Sequence, residues 1–243
     1  MISIGNSFDF EILHIAGDQT INRTASGYSI GYFYGYVQTG IYQTDQDVKK
    51  GPYLRDAAPG DISYADLDHN DTINQNDRTY LGTPFPKYNF GVSISFTYKN
   101  FDLAIDGQGV SGNDIFVQRR TYRFADLNYE TNRLDAWHNK GSSNVEPILD
   151  PSKANNYLFS DYWLEDGGYF RLRTVQLGYT FKTQQLKYIK MLRIYVSGQN
   201  IKTFTNATGY SPEVPISNPT SAGADNGTYP VPAIYSFGIN LTL

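Results

Sequence analysis

Lys87 to Lys99 reads KYNFGVSISFTYK, and its period decides the fold class. Tyr88, Phe90, Val92, Ile94, Phe96 and Tyr98 are apolar or aromatic, while Asn89, Gly91, Ser93, Ser95 and Thr97 between them are small or polar. Strict alternation over this length specifies a β-strand with two unlike faces. After Lys99-Asn100 the pattern resumes, with Phe101, Leu103 and Ile105 on one face and Asp102, Asp106 and Gln108 on the other. Residues flanking a two-residue hairpin loop pair and point to the same side, so Tyr98 and Phe101 share the apolar face.

The same period recurs three times further on. Val175, Leu177, Tyr179 and Phe181 alternate with Thr174, Gln176, Gly178 and Thr180, and Leu192, Ile194, Val196 and Gly198 with Arg193, Tyr195, Ser197 and Gln199. Finally, Tyr235, Phe237, Ile239, Leu241 and Leu243 alternate with Ser236, Gly238, Asn240 and Thr242. Arg171 and Arg173 interrupt the apolar side of the first of these strands, which predicts that its beginning lies outside any apolar layer. The chain is all-β, with strands expected at about 87–98, 101–109, 169–181, 192–203 and 233–243.

Alternation alone fits a soluble β-sandwich as well as a membrane barrel. The connections separate the two, because they run short (Lys99-Asn100), very long (110–168), short (182–191) and long again (205–232). Compact soluble domains rarely carry structureless loops beyond ~12–15 residues. Outer-membrane barrels alternate short periplasmic turns with long extracellular loops, on strands of ~9–11 residues that are apolar toward lipid. The pattern therefore predicts the strands of a transmembrane antiparallel β-barrel with long extracellular loops. With a periplasmic C-terminus, every short turn falls on the periplasmic side. The strand from Lys87 then descends, an ascending strand is expected upstream, and Met1 reads as an internal residue or a misassigned start.

Composition points the same way. Tyr, Phe and Trp number 21, 14 and 2 among 243 residues, or 15% aromatic, and charged residues make only 18%, against ~25% in ordinary soluble domains. Aromatic residues near strand ends, such as Tyr88, Tyr98, Phe181 and Tyr235, form the girdles that meet lipid headgroups. No stretch approaches the ~18 apolar residues of a membrane-crossing helix, and the first residues lack the cationic start and apolar core of a signal peptide.

Several function classes are excluded. The absence of cysteine removes disulfide scaffolds, thiolate metal sites and Cys nucleophiles. A net charge of −4 with no Lys/Arg stripe argues against a nucleic-acid partner. The histidines, His14, His69 and His138, have no Cys or His at metal spacing, and no nucleophile elbow or phosphate-binding glycine loop occurs. Gly107-Gln108-Gly109 lies in a strand and reads as close backbone packing. Glu165 with Asp166, or Glu130 with Asp135, follow no acid/base spacing rule. No catalytic residue is assigned, and the chain is read as a non-enzyme.

Residues 1–86 are less regular and read mostly as extracellular loop. Gly27 to Gln43 is dense in Tyr and Gly and fits either a hairpin or an aromatic surface. In the long connection, Phe124, Leu127, Leu134 and Trp137 have the spacing of a short helix. One stretch carries site chemistry. Asp66-Leu67-Asp68-His69-Asn70-Asp71-Thr72-Ile73-Asn74-Gln75-Asn76-Asp77 sets oxygen side chains at positions 1, 3, 5, 7, 9 and 12, the spacing with which an EF-hand-type loop wraps calcium. The expected metal ligands are Asp66, Asp68, Asn70, Thr72 and Asp77, with Ile73 as the apolar anchor. Asp71 replaces the usual turn glycine and Asp77 the usual bidentate Glu. An Asx-rich turn between strands uses the same residue types, so both readings stand at this point.

Collinear blocks along nearly the whole chain resemble the C-terminal part of SusC/RagA-type TonB-dependent outer-membrane transporters. They include Gly60-Asp61-Ile62-Ser63-Tyr64, Tyr80-Leu81-Gly82-Thr83-Pro84-Phe85-Pro86-Lys87-Tyr88, Tyr98-Lys99-Asn100-Phe101-Asp102-Leu103, Leu164-Glu165-Asp166-Gly167-Gly168-Tyr169-Phe170-Arg171-Leu172-Arg173 and Gly209-Tyr210-Ser211-Pro212-Glu213. The resemblance implies a large barrel in the cell outer membrane that imports glycans or peptides. It also implies a SusD-like surface lipoprotein as partner and a TonB complex acting through N-terminal parts that this chain lacks. The expected organisation is 1–86 as mostly extracellular loop region, with the EF-hand-like loop at 66–77 read from its spacing, and 87–243 as the last quarter or so of the barrel that the resemblance implies. The alternative is a secreted calcium-stabilised β-module that binds glycans through its aromatic residues.

Overall fold

The structure is a computed structural model that describes residues 8–9, 21–121, 130–150, 152–182, 188–216 and 218–243. The chain divides into two units interleaved in sequence. One comprises Pro86–Asn113, Asp166–Glu213 and Gly227–Leu243, and the other Met1–Phe85, Asp114–Glu165 and Val214–Asn226.

The first unit is a five-stranded antiparallel sheet of β1 (Tyr88–Tyr98), β2 (Phe101–Ser111), β3 (Tyr169–Phe181), β4 (Met191–Thr205) and β5 (Ile234–Thr242), with spatial order β5-β4-β3-β2-β1. Each strand pairs with its neighbour in sequence, a meander. Tyr98 pairs with Phe101 across the two-residue turn, where Lys99 adopts a left-handed φ of +54°. β2 runs two residues beyond its expected end, and β4 extends to Thr205.

Arg171 and Arg173 do not end the apolar face of β3. A bulge between Leu172 and Thr174 shifts the register of β3 against both β2 and β4, and one extra residue reverses the parity of a strand. Arg171 thereby stands opposite Gln108 and Thr203 on the polar face, and Phe170 reaches the apolar face on the far side of the bulge. Alternation counted through an undetected bulge puts the arginines on the wrong side.

The second unit is built differently. Asn22–Thr24, Tyr32–Gly35 and Thr79–Gly82 form a small sheet with Phe8–Asp9 at its edge, and Gln38–Ile41 pairs with Ile62–Tyr64. A single-turn helix, Asp45–Lys50, is capped by Thr44, with Asp45 and Asp47 in its first turn and Lys49 and Lys50 in its last, the order a helix dipole favours. Two apolar clusters lie inside. One joins Ile21, Phe33, Phe116, Phe159 and Trp163, and the other Tyr36, Ile41, Ile62, Tyr64 and Ile73.

Parts of 1–86, 110–168 and 205–232 therefore belong to one unit, in which Ile21, Phe33, Phe116, Phe159 and Trp163 share a cluster and Ala224 packs against it. Backbone bonds join them: Tyr36 N–H donates to Phe159 O at 2.9 Å, Ile148 N–H to Gly60 O at 2.9 Å, and Phe116 N–H to Gly223 O at 2.8 Å. Partly buried ion pairs add to this, with Arg119 bound to Glu130 and Asp225 and Arg120 bound to Glu130 and Glu165.

The helix expected around Phe124 to Trp137 is, in its described part, a 3-10 turn at Thr131–Asp135, with Leu134 85% exposed and Trp137 packed on the second cluster. Phe124, Leu127 and His14 lie outside the described residues. No helix among the described residues is long and apolar enough to cross a membrane.

Candidate functional site

The sheet turns its apolar residues outward. Ile94 is 55% and Phe96 60% exposed, and Val92, Leu177, Val196, Ile239 and Leu241 also lie open. Two aromatic rows bound this surface. At one end Phe90 stacks on Phe170 at 6.2 Å and Phe170 on Phe204 at 6.4 Å. The rings pass over β2 because Gly107 and Gly109 lack side chains: a Cβ at Gly107 would sit 2.4 Å from Phe170 Cζ, and one at Gly109 2.6 Å from Phe90 Cζ. The Gly-Gln-Gly segment thus makes room for rings as well as for the neighbouring backbone. At the other end Phe101 packs edge-on to Tyr179 at 4.7 Å and Tyr179 to Phe181 at 4.8 Å.

Eight residues separate Phe90 from Tyr98, about 27 Å of strand at ~3.4 Å per residue, or about 20 Å along the barrel axis at a tilt of ~40°. Outer-membrane barrels carry an apolar band of ~25 Å between aromatic girdles. An exposed apolar face this large is foreign to monomeric proteins in water.

The opposite face is polar and internally satisfied. Arg193 Nε and Nη2 donate to the two Asp102 oxygens at 3.0 and 2.5 Å, meeting across β3 above Gly178. Ser93 donates to Asp106 at 2.7 Å and Arg173 to Gln108 at 2.9 Å. Arg171 donates to Thr203 at 2.8 Å and to Glu213 at 2.6 Å, while Tyr169 holds the other Glu213 oxygen at 2.6 Å. Glu213 ends one of the blocks that carry the resemblance, but the sequence assigns it no role, since its partners lie more than forty residues away.

The 66–77 segment forms the second candidate site. Asp66, Asp68 and Asp77 each bring a carboxylate oxygen within 4.8 Å of the others. Oxygens bound to one calcium at ~2.3–2.6 Å lie no more than ~5 Å apart, so spacing and chemistry fit that hard cation. Asp71, at the glycine position, adopts φ +60°, the left-handed conformation that Asp tolerates. The Asp71 and Asn70 amides donate to Asp66 at 2.8 and 3.2 Å, and although desolvation opposes them they hold its carboxyl below the ordinary range.

Asp77 is fully buried and closes the loop, accepting from the Leu67 and Asn74 amides at 2.8 Å each. Asn70 and Thr72 lie in the same loop but bond within it, Asn70 Nδ2 to Asp68 at 2.9 Å and Thr72 N–H to Asn70 Oδ1 at 2.8 Å. Ile73 is buried in the second cluster, which anchors the loop to the unit.

Tyr28, Tyr32 and Tyr80 form a ring cluster on the small sheet, with centroids 4.9 to 5.6 Å apart, and Tyr36 lies in the core. Gly27 to Gln43 is thus an aromatic surface and not a hairpin, because its strands Tyr32–Gly35 and Gln38–Ile41 belong to different sheets and pair with other segments.

No family model matches the chain. Over 229 residues it is 32% identical to TonB-dependent receptor P3 of Formosa agariphila, an alignment covering 88% of this chain and 22% of the receptor. It is 25% identical over 220 residues to TonB-dependent receptor SusC of Bacteroides thetaiotaomicron, covering 88% and 20% respectively. Among solved structures, the RagAB peptide importer in its open-open state matches all of this chain and 25% of its own, at 19% identity and a TM-score of 0.70. A structure of the RagAB peptide transporter matches with a TM-score of 0.71 at 19% identity, covering 97% of this chain and 24% of its own. The chain thus spans about a fifth to a quarter of the length of the proteins it matches.

Proposed function

We propose that this chain, a homologue of the SusC/RagA-type TonB-dependent receptors, supplies the C-terminal strands of an outer-membrane barrel, with its long connections extracellular. The observation that carries this reading is the exposed apolar face bounded by the Phe90–Phe170–Phe204 and Phe101–Tyr179–Phe181 rows. Lipid covers such a face without cost, whereas water does not. The opposite polar face lines the lumen. In the whole protein this wall serves import of glycans or peptides, together with a SusD-like surface lipoprotein and energised by a TonB complex. The relation to SusC and to a peptide importer supports that assignment.

Expression of the natural polypeptide in a Gram-negative host tests the reading. It should fractionate with the outer membrane, and its cells should take up labelled glycan or peptide only while the SusD-like partner is present. A monodisperse, cooperatively melting chain obtained without detergent would overturn it.

The 66–77 loop is proposed to hold calcium as a structural clamp, with Asp66, Asp68 and Asp77 as carboxylate ligands and Asn70 and Thr72 completing the oxygen set. Calcium supplies charge neutralisation among three clustered carboxylates, and ordering of the loop is the expected result. Asp68 is the position to test because it is exposed, unlike Asp77, whose removal would also orphan two amides. Calcium should raise the melting temperature of the wild type and not of Asp68→Ala. Calorimetry that detects no calcium binding would sink the proposal.

A further inference from the structure

The apolar face is not uniformly filled. Val175, Gly198 and Tyr235 are cross-strand partners in one row, and Val196 pairs with Phe237 in an adjoining one. Gly198 carries no side chain of its own, and Ile201 lies over it. The Ile201 Cδ1 and Cγ1 stand 2.7 and 2.8 Å from where a Gly198 Cβ would be, beside a backbone turned by the left-handed Asn200 at φ +51°. Beside Ile201, between Val175, Val196, Tyr235 and Phe237, the face dips into a shallow, open notch of about 480 Å³ with almost wholly apolar walls.

We propose that this notch is a lipid site that retains one acyl chain of an outer-membrane lipid, held longer than the chains that merely surround the barrel. The inference rests on the membrane reading above, since the notch is continuous with the lipid-facing belt. A void in an apolar medium forfeits the dispersion contacts of its walls, so a chain that fills it gains contacts a flat wall does not offer. The walls suit a polymethylene chain: Val175, Val196 and Ile201 are β-branched and stiff at χ1, and Tyr235 and Phe237 present ring faces. Nothing in the notch offers a charged partner, which turns away a headgroup and leaves the acyl chain as the occupant.

The test uses the natural full-length polypeptide in phosphatidylethanolamine vesicles that carry a phospholipid with a photoactivatable acyl chain, with labelled peptides mapped after illumination. Labelling should concentrate several-fold on β4 and β5 relative to β1, and in Gly198→Leu it should fall to the β1 level. The leucine must displace Ile201, whose Cδ1 and Cγ1 would lie 2.7 and 2.8 Å from its Cβ, and co-flotation with the vesicles checks that the variant inserts. Ile94→Leu, elsewhere on the belt, should leave the wild-type pattern unchanged. Even labelling of all strands, labelling unaltered by Gly198→Leu, or a cross-link from the notch to a second copy of the chain would each overturn the lipid site while leaving the membrane reading intact. A wild type that fails to float with the vesicles would overturn the membrane reading and the lipid site together.

Discussion

Phe159 and Phe237 are the same residue in opposite circumstances, the first 0% and the second 66% exposed. The difference runs through their whole units. Around Phe159 the rings of Phe33, Phe116 and Trp163 turn inward, and the buried polar groups Asn22, Asp61 and Asn156 have hydrogen-bond partners. Around Phe237 the apolar residues turn outward and the charges pair on the opposite face. One chain of modest hydropathy thus contains two solutions to the hydrophobic effect, each correct for its own solvent. Apolar residues go where water is not, and only the five-stranded sheet finds that place outside itself.

The contrast can be broken most severely from within the water-facing unit. Phe159→Ala should cost about 3–5 kcal/mol, the usual penalty for deleting a ring from a packed core. Both tryptophans of the chain, Trp137 and Trp163, belong to this unit, so their fluorescence in a urea titration reports it selectively. Ile94→Arg comes next, costing about 2–4 kcal/mol if the residue faces the bilayer midplane, measured by refolding into lipid vesicles. Its neighbour Ser95→Arg, on the polar face, should cost under about 1 kcal/mol by the same measure, because an exposed polar site accepts a charge cheaply. Equal costs for the two arginines would erase the distinction between the faces.

A smaller effect sharpens the picture. Burial raises the Asp61 carboxyl above the ordinary carboxylate value, against the opposing pull of the Ala58 amide, Lys153 and Asn156. A raised folded value means that the folded state binds the proton more tightly. Its stabilising contribution is therefore complete below the ordinary value and is lost as pH rises through the raised one. Asp61→Asn should flatten that decline in tryptophan-monitored melts across the acid range, and an unchanged slope would assign the decline to other groups.

The two units also differ in how much of them is written locally. Period two carries β1 through β5 because each strand is nine or more residues long and one face must stay apolar throughout. The bulge at Leu172/Thr174 escaped because nothing in Phe170-Arg171-Leu172-Arg173 marks an extra residue, and the arginines then read as the strand's exit from the apolar layer. The other unit escaped almost entirely. Its strands of three or four residues are too short to display a period, and its core forms between residues such as Ile21, Phe116 and Phe159 that only tertiary folding brings together. The 66–77 loop lies between these cases. Its oxygen spacing is local and legible, whereas the burial of Asp77 depends on the packing beneath it.

The glycines of the sheet have a mechanical consequence. Phe90 and Phe170 join β1 to β3 over the top of β2, and Asp102 and Arg193 join β2 to β4 over β3. Strands that are not neighbours are thereby braced to one another, on opposite faces of the sheet. Once β5 has been drawn away, β4 cannot leave by losing only its ladder with β3, because a guanidinium clamp two strands deep must open at the same moment. Such a sheet resists peeling as plywood does, through ties that cross its own grain.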